Sequence, residues 1–338
     1  MKLSWQKVKL PLKHQFVVAY SQKSYAENVF IQLGHDGIIG YGEAAPSYFY
    51  HESANTVVAF LEQQRDLLSQ PLVDLDSIMG QMEQRFPGNY AAKAAINLAL
   101  YDILGKQANL PVHRLLGIQS DGPMVTSFTI GIDSLSMIRT KVMAAANYPI
   151  LKIKLGSDHD EEIIKTVRQF TQCPLRIDAN EGWTREQAVA KIHWLEQFDI
   201  ELVEQPLPAN DIEGTRWVRE RVRLPIFADE SLTIGHNLEQ LVGAFDGVNI
   251  KLMKCGGISA ALKLVAKART LGLKTMLGCF IESSLGISAA AQIAPLFDYL
   301  DVDGALLLKT DPFDGVKIVD GWFTLPQGPG LGATPVLI

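Results

Sequence analysis

From residue 125 onward one arrangement recurs down the chain: a short apolar run, then a longer amphipathic stretch, at nearly regular spacing. The runs occupy 125–130, 151–155, 175–177, 202–203, 225–228, 248–252, 273–277 and 299–302, with helical patterns such as 185–198, 258–271 and 286–293 between them. Strands joined through helices lie parallel, because a crossover of that length returns the chain to the same end of the sheet. Eight such runs with about seven helices predict a closed barrel of the (β/α)7β kind, a modified TIM barrel, rather than an open sheet. The period is structural, since the residues themselves do not repeat as in a solenoid.

The first third has a different texture. Residues 16–20, 28–33 and 38–41 are β-prone, and His35-Asp36-Gly37 supplies a tight turn between the last two, which predicts an antiparallel sheet. Helical patterns follow at 53–68 and 91–105, the second ending on Gly105. The texture changes near Asp121-Gly122-Pro123, and after the last barrel run the tail carries one more β-like run at 315–319. The resulting division is an α+β capping domain over 1–121, a catalytic barrel over 122–304 and a C-terminal return to the cap over 305–338.

Composition narrows the function. With 47% hydrophobic and 20% charged residues among 338, the chain can build real cores and is not disordered. A net charge of −6 lacks the basic footprint that nucleic acid requires. Cys173, Cys255 and Cys279 cannot pair off completely and show no Cys-x-x-Cys spacing, which suits a reducing, cytoplasmic setting without structural zinc. The apolar stretch 16–20 is too short for a signal-peptide core or a membrane span.

In a parallel α/β barrel the active site lies at the C-terminal ends of the strands. Those ends carry Lys152 and Lys154, Asp178, Glu204, Asp229, Lys251, Glu282, Asp301 and Asp303. Any one acid alone reads equally well as a helix N-cap or a surface ion pair. Asp178, Glu204 and Asp229, however, come from three successive strands, and three carboxylates at one barrel mouth repel unless a cation joins them. Oxygen-only ligands call for a hard ion, Mg²⁺ above all. Lys152 and Lys154 share a strand face by their spacing, so mutual repulsion and a nearby metal should lower the pKa of at least one, making a usable base. Lys251 ends a strand across the barrel, and two bases on opposite faces of one carbon can move a proton from one side to the other. Snorkelling to solvent is the plainer alternative for a strand lysine, more so for Lys254, which lies beyond its strand.

With these residues aligned, the sequence resembles the enolase superfamily, in particular its muconate-lactonizing subgroup and, within that, the dipeptide epimerases. The motifs that carry the resemblance are Gly40-Tyr41-Gly42-Glu43-Ala44, the Lys152-x-Lys154 pair, Asp178-Ala179-Asn180, Glu204-Gln205-Pro206, Ala228-Asp229-Glu230-Ser231 and the stretch from Ile250 to Gly257. The resemblance implies that Asp178, Glu204 and Asp229 bind one Mg²⁺ per subunit, with Asn180 and Glu230 beside them. Lys154 and Lys251 would be the acid/base catalysts, and Lys152 would hold the substrate carboxylate. The shared chemistry is removal of the proton α to a carboxylate to give an enediolate.

Asp301-Val302-Asp303 matches the Asp-x-Asp with which dipeptide epimerases hold the substrate's free ammonium, and Thr129, Cys279, Phe280 and Ile281 match positions that contact the dipeptide. The bland reading of that pair is a loop cap followed by an Asp-Gly turn. Relatives acting on Ala-Glu are expected to carry an arginine in the cap loop after the first strand. Residues 21–27 offer only Lys23, a poorer bidentate partner for a carboxylate, which favours a small or apolar C-terminal residue over Glu. The expected activity is thus epimerisation of L-Ala-L-Xaa. An o-succinylbenzoate synthase, N-acylamino acid racemase or muconate-type cycloisomerase would use the same metal and lysines. A Schiff-base barrel enzyme or a non-enzymatic binding protein would leave the acid triad without a role. The barrel exterior and the cap could support a homo-oligomer.

Overall fold

The computed structural model describes residues 1–69, 74–120, 122–232 and 238–336. The expected boundary residue Asp121 lies outside the described residues. Three antiparallel strands open the chain: β1 (Lys2–Val18), β2 (Ser21–His35) and β3 (Ile38–Ala44), in the order β1-β2-β3. Asp36 and Gly37 form the β2–β3 turn with φ of 47° and 79°, the left-handed pair that a two-residue hairpin needs. Strand β1 extends far beyond the expected 16–20. Its exposed lysines hide the strand signal, while Leu3, Leu10 and Leu12 are buried. A register shift between Pro11 and Phe16 frees Leu12 to bridge Leu308 of the tail.

Helices α1 (Ala54–Gln63), α2 (Leu75–Arg85) and α3 (Tyr90–Ala108) complete the N-terminal unit. Ser53 and Thr56 cap α1 reciprocally, and the expected single helix over 53–68 resumes after Gln64 as the short Arg65–Leu68. Helix α3 is buried on nearly every face, as suits an Ala-rich core helix. It runs past Gly105 and ends at Asn109, which adopts the left-handed cap at φ 52°. Gly105 serves a different purpose, since a Cβ there would press on the backbone of Gly330 in the tail.

The barrel strands are β4 (Phe128–Ile130), β5 (Leu151–Lys154), β6 (Leu175–Asp178), β7 (Ile200–Glu204), β8 (Ile226–Ala228), β9 (Gly247–Lys251), β10 (Lys274–Gly278) and β11 (Tyr299–Asp301). They form one parallel sheet in chain order, and Ser127 N–H donates to Leu300 O at 3.3 Å to bring its two edges together. The outer helices are α4 (Leu135–Ala144), α5 (Asp160–Arg168), α6 (Arg185–Leu195), α7 (Ile212–Arg219), the short Leu238–Leu241, α8 (Ile258–Thr270) and α9 (Ser284–Ala291). This is the expected (β/α)7β barrel beneath an α+β cap.

The tail returns to both layers. Phe313 stacks on Phe30 and meets Tyr41 edge-on, and Leu331 N–H donates to the buried Asp102, which also takes Tyr41 N–H. The run at 315–319 is not a strand. A Cβ at Gly315 would press on Ser288, whose Oγ accepts from Val316 N–H, so this backbone bonds to a helix side chain instead. The tail strands are Phe313–Asp314 with Thr334–Pro335, and Trp322–Phe323 with Met124–Val125. The three cysteines are free thiols, and among the described residues no helix is long and apolar enough to cross a membrane.

Candidate active site

Parallel register sets the charged residues side by side. Lys154, Asp178 and Glu204 are consecutive partners across β5, β6 and β7, and Lys152 lies two residues back on the same face. Apolar strand flanks bury all of them, with Asp178 and Glu204 fully enclosed. Beyond Asp178 and Glu204 the chain turns through left-handed residues, Asn180 at φ 43° and Gln205 at φ 37°. Gln205 Oε1 accepts from the N–H groups of Asp229 and Ser231, so one strand's turn fixes the next strand's carboxylate.

One carboxylate oxygen from each of Asp178, Glu204 and Asp229 lies within 4.8 Å of the others. Lys152 Nζ joins them, 2.9 Å from Asp178 Oδ2, 2.7 Å from Glu204 Oε2 and 2.7 Å from Asp301 Oδ2. Lys154 reaches Asp178 Oδ2 at 2.5 Å, and Lys251 reaches Asp229 Oδ2 at 2.7 Å. The two lysines therefore flank the carboxylate cluster from different strands. Lys254 is no surface lysine. It is buried on the short helix after β9 and donates to both Asp229 Oδ1 and Asp229 O. Asn180 Nδ2 and Tyr20 OH both donate to Glu230 Oε1.

The donor set fits a hard divalent cation. Beside three convergent buried carboxylates, Asn180 Oδ1 and Glu230 Oε2 are buried with no hydrogen-bond partner among the described residues. Buried acceptors left in that state are costly unless something donates to or coordinates with them. Burial and the neighbouring Asp178 charge push Glu204 up to about 7.

Burial works against the Lys152 ammonium, yet Asp178, Asp301 and Glu204 outweigh it and hold its pKa well above the usual value. Lys251 is raised in the same way, by Asp229 and Glu204 against burial.

Above the cluster lies a cavity of about 460 Å³. It is lined by Thr129, Lys152, Lys154, Asn180, Asp229, Glu230, Lys251, Cys279, Phe280, Ile281, Asp301 and Asp303, so every expected site residue except Asp178 and Glu204, which lie beneath, faces one space. Asp301 and Asp303 share it but differ. Asp301 is taken by Lys152 and by Ser127 Oγ at 2.6 Å, and these partners hold its carboxyl down at about 2 against burial. Asp303 Oδ2 accepts from Thr129 N–H at 2.6 Å, and burial plus the Asp301 charge push it up to about 7.

The roof comes from the cap. Residues 21–27 are not a loop: they begin β2 and pair with β1, Ser21 opposite Val18 and Lys23 opposite Phe16. Lys23 lines the cavity, and burial lowers its pKa. Sequence reasoning gave no role to Tyr20, Ser127, Gln205, Lys254 or Asn249, whose Nδ2 donates to Glu204 Oε1 at 2.8 Å. Gln205, Asn249 and Lys254 sat in or beside motifs already singled out, and Tyr20 and Ser127 carried no local signal.

Residues 2–117 match the family described as mandelate racemase / muconate lactonizing enzyme, N-terminal domain, and residues 137–336 match enolase C-terminal domain-like. The chain belongs to the enolase superfamily, in its mandelate racemase and muconate lactonizing enzyme branch. An L-Ala-D/L-Glu epimerase from Bacteroides thetaiotaomicron is 39% identical over 99% of this chain and 88% of its own length. An L-Ala-D/L-amino acid epimerase from a Maribacter species is 38% identical over 99% of each chain. The crystal structure of a dipeptide epimerase from Cytophaga hutchinsonii, complexed with Mg and D-Ala-L-Val, matches with a TM-score of 0.93 at 31% identity, covering 99% of this chain and 95% of that one.

Proposed function

We propose that this chain is an isomerase, a Mg²⁺-dependent dipeptide epimerase that inverts the α-carbon of the C-terminal residue of L-Ala-L-Xaa. The observation that carries the reading is the placement of two buried lysines, Lys154 and Lys251, on separate strands against Asp178 and Asp229, beneath a cavity that also holds Asp303. Asp178, Glu204 and Asp229 would hold one Mg²⁺ per subunit, with Asn180 and Glu230 beside it. When bound, the ion acts as a Lewis acid on the substrate carboxylate, where negative charge develops.

The remaining steps belong to the chain. One lysine, as the neutral amine, takes the α-proton from its face of the carbon, and the other, as the ammonium, returns a proton to the opposite face. Lys152 presents a fixed positive charge to the carboxylate end, which favours the transition state over the ground state. Asp301 and Asp303 select the free ammonium, with Asp301 also tied to Lys152. Thr129 fixes Asp303 through its N–H, and Cys279, Phe280 and Ile281 line the dipeptide's cavity. The cap wall from Ser21 to Glu27, with Lys23 its only basic side chain, supports a small or apolar C-terminal residue over Glu. The division into a cap over 1–121, a barrel over 122–304 and a return over 305–338, and a reducing cytoplasmic setting suited to three free thiols, are part of the same proposal.

The test is α-deuterium incorporation from D₂O into a panel of L-Ala-L-Xaa dipeptides with Mg²⁺ present. Incorporation at the C-terminal residue, lost with a chelator and restored by Mg²⁺, is expected, with apolar Xaa ahead of Glu. Formation of o-succinylbenzoate from its own precursor, with no exchange into any dipeptide, would overturn the assignment.

A further inference from the structure

The chemistry above leaves the Glu43 carboxylate unused, although it is fully buried and richly bonded. Its position follows from β3. Gly40 and Gly42 face α3, where a Cβ at either would overlap the carbonyl oxygens of Ala99 and Ala95, so helix and strand pack backbone to backbone. The alternate residue, Glu43, points the other way, into the seam between cap and barrel. There Glu43 Oε1 accepts from Asn28 Nδ2 at 2.8 Å and Ser283 N at 2.9 Å, while Oε2 accepts from Ser283 Oγ at 2.5 Å and Gly286 N at 3.0 Å. Asn28 Nδ2 also donates to Ile281 O at 3.0 Å. A cap carboxylate thus binds the open N–H groups at the start of the barrel helix α9.

The contacts continue towards the chemistry. Glu282 Oε1 accepts from Phe280 N at 2.8 Å, and the Phe280 ring lies under Lys251 Nζ, 5.0 Å from its centroid. Burial and the Glu43 charge push Glu282 up to about 8. None of these contacts involves Lys154, which is held by Asp178 on the neighbouring strand.

We propose that Glu43 is a positioning residue for one of the two proton transfers: through residues 280–283 it fixes Phe280 against Lys251, and so sets the placement of Lys251 but not of Lys154. This rests on the two-base reading above. A cation over an aromatic face is held by the ring quadrupole, and a displaced base loses rate steeply. Glu43→Gln has the right shape but the wrong polarity, because each carboxylate oxygen already faces donors and the new amide NH₂ would oppose some of them.

The experiment measures deuterium wash-in at the C-terminal α-carbon separately from L-Ala-L-Xaa and L-Ala-D-Xaa. Lys251→Ala identifies the epimer whose exchange depends on Lys251. Glu43→Gln is expected to slow exchange of that epimer about tenfold and leave the other within about twofold. Asn28→Ser, which removes the link from Glu43 to Ile281 O, should show the same one-sided loss and carries the comparison should Glu43→Gln fail to fold by circular dichroism. Equal slowing of both epimers, or of neither, overturns the positioning role and leaves the epimerase reading intact. Absence of exchange from both epimers in the unaltered protein overturns the epimerase reading itself.

Discussion

Asp303→Asn isolates the recognition of the substrate's free amine. Asp303 is buried, and the Asn variant keeps an oxygen for the Thr129 N–H bond, so the fold around it should persist. What disappears is the negative charge available to an ammonium. Asp301 is a poor substitute, because Lys152 and Ser127 already occupy its oxygens. A hydrogen bond to a charged group is worth about 1.5–3 kcal/mol, and each 1.4 kcal/mol is about tenfold, so kcat/KM for L-Ala-L-Xaa should fall roughly 10- to 140-fold. The assay compares that dipeptide with its N-propionyl analogue, which has the same shape without the amine. The analogue should lose less than about threefold, since the deleted charge never served it. Because burial and Asp301 place the Asp303 carboxyl near 7, the advantage of the dipeptide over the analogue should shrink as pH falls below that value and Asp303 takes up a proton. An equal fall for both compounds would refute the reasoning, as it would show that Asp303 shapes the cavity and reads no charge.

Two further substitutions test the framework. Gly42→Ala forces a methyl group into the Ala95 carbonyl and should cost about 1–3 kcal/mol of stability, read as a lowered melting temperature; an unchanged melt would show that α3 is not in backbone contact with β3. Glu282 holds its proton up to about 8 in the folded protein, whereas an unfolded carboxylate loses it near ~4.3. Between those values the folded state binds the extra proton, so this group makes the protein progressively less stable as pH rises through that window. Glu282→Gln should flatten the decline in urea midpoints between about pH 5 and pH 8, and a slope equal to that of the unaltered protein would count against a neutral Glu282.

The barrel and the acids at its strand ends were legible in the sequence because both depend on short-range rules. A parallel strand buried on both faces needs a continuous apolar run, and period-two alternation with a C-terminal mouth then dictates which residues share a face. That logic placed Lys152 with Lys154, and it gathered Asp178, Glu204 and Asp229. It failed where burial cannot be inferred from local pattern. The lysine-rich β1 reads as polar because one face of an edge strand meets solvent, and residues 21–27 read as a loop because their partner strand had not been recognised.

What only the tertiary structure decided is the state of each charged group. Lys254 looked destined for solvent, yet a short helix after β9 turns it onto Asp229. Asp301 and Asp303 look equivalent two residues apart, yet Lys152 claims one and Thr129 the other. Glu43 sits in a recognisable motif, but its partners Asn28, Ser283 and Gly286 come from another cap strand and from a barrel segment some 240 positions away. Periodicity fixes which way a side chain points. Which long-range neighbours it meets, and so whether it is charged, committed or free, follows from how the cap docks on the barrel.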